Sequence, residues 1–195
     1  MTTGPSRSRR IARLGAAVAM AGGTRLLMRR MASDFERDQR LRPSTTVAIY
    51  GAYVVQLAAL AELARRPSLG VPIPPQAGRV LGGSLIVAGS VALAAGASNF
   101  GSARQLSGTE TGHLIETGIY RWTRNPQYLG YLAILTGASL TKRSLDATVA
   151  TAASAVVFDH WIGHEETNLT RTFGSDYTRY RERTARWLRV PNTSA

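Results

Sequence analysis

The chain has 195 residues, with 24 lysines and arginines against 12 acidic residues, and it contains no cysteine. This length fits one domain, and the absence of cysteine excludes disulfides, thiolate metal sites and a cysteine nucleophile. The net charge of +12 indicates an anionic partner, either nucleic acid or the negatively charged face of a membrane.

Residues 1–44 form an arginine-rich N-terminal segment. Within it, residues 11–28 are rich in alanine and flanked by arginines. This pattern predicts an interfacial helix, or an extra membrane helix packed on a bundle, rather than a cleaved signal peptide. Residues 33–42 are too highly charged to enter lipid, and we expect a surface connector there.

The rest of the hydrophobic sequence falls into four blocks. A membrane-spanning helix needs about 20 mostly apolar residues. The alanine, glycine and serine content of the blocks would make a poor core for a soluble helical protein, the alternative class. In the second block a stripe of small residues is expected to let neighbouring helices approach closely. The blocks are 47–63, 80–100, 128–140 and 145–163, and the stripe is Ser84, Ala88, Ala92 and Gly96.

We therefore predict an all-α integral-membrane bundle with about four to five transmembrane helices. If the four blocks cross, residues 1–45, 101–126 and 164–195 share one side and carry 19 of the 24 basic residues. Basic residues favour the cytosolic side. We expect a multi-pass protein of a bacterial cell membrane, with a bundle at 45–163 and a cytosolic helical tail at 164–195.

The tail carries an apolar stripe with helical spacing, and Gly174 is expected to separate two helices. An arginine-rich helix with an aromatic underside suits a cytosolic membrane surface. We expect no nucleic-acid partner, because no zinc, basic-zipper or RNA-binding sheet motif accompanies the charge. The stripe consists of Leu169, Phe173, Tyr177 and Tyr180, followed by Trp187 and Leu188.

Residues 113–130 form the first segment rich in ligand-binding groups. Thr117 and Gly118 indicate a turn, and Pro126 predicts the start of a helix. The free N–H groups and positive dipole end of that helix would receive a ligand carboxylate, with Arg121 and Arg124 adding positive charge.

The second segment, residues 164–180, begins with the adjacent carboxylates Glu165 and Glu166. They could bind hydroxyls and an ammonium group, or they could be a solvated helix start, and the residues alone leave both interpretations open. His160 and His164 have metal-ligand spacing, but no further ligand accompanies them, so we predict no metal site.

Together the two segments resemble the integral-membrane methyltransferases related to isoprenylcysteine carboxyl methyltransferase, with phospholipid methyltransferases as a neighbouring branch. The resemblance covers about residues 80–191. Asn125 stands where the family commonly has His. The first motif matches at His113, Leu114, Ile115, Thr117, Gly118, Tyr120, Arg124, Pro126, Tyr128 and Gly130, and the second at Glu165, Glu166, Leu169, Phe173, Gly174, Tyr177 and Tyr180.

The resemblance implies a methyltransferase that binds S-adenosylmethionine at the cytosolic end of the bundle and methylates a lipid or other lipophilic acceptor. Arg124 would orient a carboxylate and Glu166 would take a proton from an amine acceptor. The alternatives are a nicotinamide-dependent membrane reductase and a non-catalytic membrane protein. The residues implied for cofactor binding are His113, Tyr120, Asn125, Pro126, Tyr128, Glu165 and Glu166.

Overall fold

The computed structural model describes residues 7–65 and 70–188, with side chains from residue 22 onward. These residues form seven α-helices and a short 3-10 helix at Gly118–Arg121, which confirms the all-α prediction. In chain order the α-helices are α1 (Arg7–Asp38), α2 (Pro43–Arg65), α3 (Pro75–Ala97), α4 (Ala103–Leu106), α5 (Pro126–Lys142), α6 (Leu145–Phe173) and α7 (Ser175–Arg183).

Helix α1 is longer than the sequence predicted. The expected connector at residues 33–42 is wrong over its first half, because the helix continues to Asp38. Leu27, Met31 and Phe35, spaced four residues apart, are buried against α2 and α6. Glu36, Arg37 and Asp38, three of the charged residues that suggested a connector, are exposed on this helix, so burial of its other face extends the helix through them.

Helices α3 and α5 pack backbone against backbone. A Cβ atom on Gly89 would lie 2.5 Å from the carbonyl oxygen of Gly130, and one on Gly82 would lie 2.5 Å from that of Gly137. Such contacts leave room only for hydrogen, so glycine is required at these positions. Close approach of neighbouring helices through small residues is confirmed.

The stripe predicted for that approach is wrong except at its last residue. Ser84 and Ala88 are exposed, whereas Gly82, Gly89 and Gly96 are buried. These glycines are seven residues apart, so they stay on one face of α3 over almost four turns. Residues four apart shift by about 40° around the helix at each step, so the predicted set of small residues does not stay on the face that contacts α5.

The outer faces of the long helices are apolar. Helices α2 and α3 are long and apolar enough to span a membrane, yet only 6% and 17% of their most apolar windows are buried. In a soluble protein such windows would be covered, so this exposure favours contact with lipid. Of the four predicted spans, those in α2 and α3 meet the criterion, whereas the blocks at 128–140 and 145–163, in α5 and α6, do not meet it among the described residues. The exposed apolar side chains include Val47, Val54, Val87 and Val91, with Val149 and Val156 on α6.

The loops gather at two ends of the bundle, as the predicted crossings require. At one end, the Val71 N–H donates to the Arg143 carbonyl, 2.9 Å away. At the other, the Leu41 N–H donates to the Gly108 carbonyl, 2.7 Å away. Arg66, in the loop between the first two predicted spans, lies outside the described residues.

Candidate active site

The first motif forms a turn and then a helix start at the second of these ends. Gly118 has a φ of 58°, and a Cβ there would lie 2.8 Å from the Asn99 Oδ1, so the predicted turn needs glycine. Helix α5 begins at Pro126, as predicted. Its missing N–H costs nothing at the first helical position, where no intrahelical partner exists.

The second motif folds back onto the first. Gly174, with a φ of 54°, ends α6 and begins α7, which confirms the predicted break. Tyr177 and Tyr180 are buried against Tyr120, and the Tyr180 hydroxyl donates to the Tyr120 carbonyl at 2.8 Å. The part of the stripe from Leu169 to Tyr180 is therefore covered by the protein's own chain and does not lie on a membrane surface, whereas Leu188 at its end is exposed. Our expectation for this face was wrong.

The two motifs enclose a cavity of about 840 Å³. Its volume lies within the range of small-molecule sites. All eight residues predicted for the site line it, although 52 positions separate the first from the last. They are His113, Tyr120, Arg124, Asn125, Pro126, Tyr128, Glu165 and Glu166.

Glu166 is held between two arginines. Its Oε1 accepts from Arg124 Nη2 at 2.6 Å, and its Oε2 accepts from Arg186 Nη2 at 2.6 Å. Burial alone would raise the pKa of Glu166, but the hydrogen bonds and charges of Arg186 and Arg124 outweigh it and hold the pKa below its ordinary value. Glu166 therefore stays ionised, and an ionised carboxylate paired with two arginines is poorly suited to the proton transfer we predicted for it.

Arg124 and Asn125 hold the chain after α7, a segment of residues 184–187 that we call the C-terminal strap. The Arg124 guanidinium donates to the carbonyls of Arg181 and Thr184 as well as to Glu166. The Asn125 side chain donates to the Arg186 carbonyl at 2.9 Å. The Arg124 guanidinium and the Asn125 amide are therefore hydrogen-bonded to the protein itself in this structure.

Arg186, which the sequence analysis did not select, ties the strap to α6. Its guanidinium reaches Glu166 and, at 3.1 Å, Asp159 Oδ1. Trp187 Nε1 donates to the same Asp159 oxygen at 3.2 Å. Asp159 and Glu166, seven residues apart and so on the same face of α6, were the signal available in the sequence, because partly buried carboxylates require a cationic partner. Residues 189–191, which closed the resemblance, lie outside the described residues.

Glu165 has different surroundings from its neighbour. The Tyr128 hydroxyl donates to Glu165 Oε1 at 2.6 Å, and among the residues that the structure describes no arginine pairs with Glu165. Burial, aided by the charge of Glu166, raises the pKa of Glu165 to about 7, although the Tyr128 hydrogen bond works in the opposite direction. A carboxylate that is half-titrated near neutral pH and lines a cavity can bind a cation or exchange a proton.

Four further polar side chains line the cavity with a buried atom that has no hydrogen-bond partner. Three lie on α6, at spacings that place them on the same face as Glu165. Buried polar atoms are rarely left unpaired without a ligand or water to complete them. That spacing could have identified them from the sequence. The atoms are Gln127 Nε2, Trp161 Nε1, Asn168 Oδ1 and Thr172 Oγ1.

Different kinds of side chain line the two ends of the cavity. Tyr53, Leu93 and Tyr131 line it where α2, α3 and α5 meet. Gln39, Gln105 and His113 line it at the end of the bundle where the motifs lie. Among the described residues no cluster of three potential metal ligands occurs, and the His160 Nδ1 pairs with the Val156 carbonyl of its own helix.

The family model described as phospholipid methyltransferase matches residues 77–176, just over half of the chain. This range contains almost all of α3, the whole of α5 and α6, and both motifs up to Asp176. No curated protein matches the chain significantly.

Proposed function

We propose that this chain, which belongs to the phospholipid methyltransferase family, holds S-adenosylmethionine in the cavity between its two motifs and methylates a lipophilic acceptor there. Members of the family are S-adenosylmethionine-dependent methyltransferases that act at the membrane on lipids. The chain is accordingly such an enzyme, with S-adenosylmethionine as its methyl donor. Membership decides against the reductase and the non-catalytic protein.

One observation carries the location of the site. Eight residues chosen from two distant segments line a single cavity, and that cavity extends to apolar side chains of α2 and α3 such as Ile49 and Leu93. A water-soluble donor and a lipid-soluble acceptor need such a passage, because each enters from a different solvent.

The residues present fit the donor. Glu165 supplies a negative charge beside a cavity that must take a sulfonium and an ammonium group. Gln127 and Tyr128 in the first turn of α5 have backbone N–H groups without intrahelical partners, and the unpaired Gln127 Nε2 lies beside them. This cluster suits the donor's carboxylate. When bound, S-adenosylmethionine supplies an electrophilic methyl group on a positively charged sulfur.

The roles that we propose for these residues differ from those that the motifs suggested. We assign Arg124, Asn125 and Glu166 to holding the C-terminal strap, and Glu165, oriented by Tyr128, to the charged contact inside the cavity. His113 and Tyr120 remain assigned to cofactor binding, since both line the polar part of the cavity. Methyl transfer from a sulfonium needs no acid on the leaving sulfur, so positioning and exclusion of water are the main tasks.

The charges of the cavity favour an amine acceptor over the carboxylate of an isoprenylcysteine. Among the described residues that line it, Arg124 is the single lysine or arginine, and its donors are already used by Glu166 and two carbonyls. Glu110, Glu165 and Glu166 also line it. An ammonium headgroup would be attracted, and Glu165 could accept its proton before transfer.

We place α2, α3, α5 and the first part of α6 across the bilayer, with the motif end in the cytosol. The exposed valines of α2, α3 and α6 would then face lipid. The excess of arginine at the motif end supports this orientation. The apolar part of the cavity would lie within the membrane, where an acceptor can enter between helices.

A transfer assay tests the function. Membranes containing the protein are incubated with methyl-labelled S-adenosylmethionine and one of two acceptors: an amine-headgroup phospholipid or a prenylated cysteine. We expect label in the amine lipid and none with the Glu165→Ala variant. Label in the prenylcysteine alone would contradict the acceptor assignment, and label in neither lipid fraction nor total extract would contradict the proposed function.

A further inference from the structure

We propose that Asn168 and Thr172 bind the nucleoside half of S-adenosylmethionine, an inference that rests on the proposed function. Both residues lie on α6 beyond the second glutamate of the motif pair, on the face that carries Glu165. The resemblance to the family did not assign a role to either residue.

The first support is the unpaired state of their polar atoms. Asn168 is 8% exposed, and its Nδ2 donates to the Gln39 carbonyl at 3.5 Å while its Oδ1 has no partner. Thr172 Oγ1 is buried and also lacks a partner. Both residues line the cavity. Burying a polar atom without a hydrogen bond costs stability, which a ligand group at this place would recover.

The second support is their position along the cavity. With a rise of about 1.5 Å per residue, Asn168 and Thr172 lie about 4.5 and 10 Å beyond Glu165 along α6. This direction leads away from the spanning part of the helix, toward the polar end. A water-soluble ligand that reaches Glu165 with its charged half therefore extends its other half past these two side chains.

The third support is the chemistry of the surrounding wall. Phe100, Leu169 and Phe173 line the same cavity, and Tyr177 borders it. Such a wall suits a flat, uncharged ring with hydrogen-bonding edges, and adenine has donor and acceptor groups along its edge. The charged amino-acid half of the donor would be poorly placed here, because neither Asn168 nor Thr172 carries a charge.

Calorimetric titration with two ligands tests the assignment. S-adenosylhomocysteine contains both halves of the donor, whereas 5′-methylthioadenosine contains the nucleoside without the amino acid. Thr172→Val and Asn168→Ala should each weaken both ligands by roughly tenfold, the effect of losing a buried hydrogen bond. Thr167→Val is the matched control, because the Thr167 hydroxyl is exposed and donates to the Gly163 carbonyl of its own helix.

The outcomes distinguish failure of the proposed function from failure of the assignment of Asn168 and Thr172. If wild type fails to bind S-adenosylhomocysteine, the proposed function itself falls. If wild type binds and both variants bind both ligands with the affinity of wild type, the assignment of Asn168 and Thr172 is wrong. It is also wrong if the variants lose affinity for S-adenosylhomocysteine but keep it for methylthioadenosine. Thermal unfolding without ligand checks each fold, and the nearly isosteric Thr172→Val decides if Asn168→Ala does not fold.

Discussion

Glu165 and Glu166 are neighbours in the chain but have opposite environments. Glu166 is 6% exposed and bonded through both oxygens to arginines, whereas Glu165 receives one hydrogen bond from Tyr128. Successive residues on a helix point about 100° apart, so the Glu166 carboxylate reaches Arg124 and Arg186 while the Glu165 carboxylate reaches Tyr128, although both residues line the cavity. On this separation rests our proposal of a structural role for Glu166 and a ligand-binding role for Glu165.

Glu166→Ala should destabilise the protein by about 3–5 kcal/mol, because it leaves the buried guanidinium of Arg124 without its carboxylate. Asp176→Ala is the control: its ion pair with Arg179 is exposed and should contribute less than about 1 kcal/mol. Denaturant unfolding in detergent compares the two variants. Equal losses of stability in the two variants would mean that the contacts of Glu166 with Arg124 and Arg186 do not stabilise the fold more than an exposed ion pair does.

Binding of S-adenosylmethionine should weaken as the pH falls through about 7. Glu165 has a raised pKa of about 7, so it loses its negative charge over this range and no longer attracts a cation. Between pH 8 and pH 6 we expect a roughly tenfold loss of affinity, measured by titration calorimetry. Glu165→Gln should bind weakly at both values, and a persisting slope in that variant would assign the dependence to another group.

The same group affects stability with the opposite preference for pH. Because the folded-state pKa of Glu165 lies above its ordinary value of 4.5, the folded state binds the proton more tightly, and stability is lost as the pH rises from 4.5 through 7. In the absence of ligand, Glu165→Gln should therefore raise Tm relative to wild type at pH 8. At pH 4.5 the two should unfold together. A Tm difference that is independent of pH would contradict this account.

The contact between α3 and α5 can be tested with two glycines of one helix. Gly89→Ala places a methyl group 2.5 Å from the Gly130 carbonyl and should lower Tm by several degrees. Gly83→Ala meets no atom within 4 Å, and its better helix propensity should leave Tm unchanged or higher. If both variants behave alike, the two helices do not approach as closely as described.

Much of the site was predictable because it depends on local sequence. Pro126 and Gly174 set a helix start and a helix break through backbone geometry, and both occur where predicted. The motif residues then lie in one cavity because the two segments follow helices that run to the same end of the bundle. Local pattern and alternating crossings are enough to bring them together.

The remaining features depend on tertiary packing. Which face of α3 meets α5 is determined by the angle at which the helices cross, so the glycines were missed in favour of another set of small residues. Arg186 pairs with Glu166 only because α7 turns the chain back along α6. Asp159 and Glu166 indicate in the sequence that a cationic partner is needed, but they do not indicate which arginine supplies it, and the crossing of α3 over α5 has no local signature.

The most direct test of the account is calorimetric titration of the detergent-purified protein with S-adenosylhomocysteine, beside Glu165→Ala and with NADPH as the alternative ligand. We predict micromolar affinity for S-adenosylhomocysteine in wild type, a large loss in Glu165→Ala, and no heat with NADPH. Folded wild type that gives no heat with S-adenosylhomocysteine would contradict the cavity as the donor site, as would full affinity in Glu165→Ala.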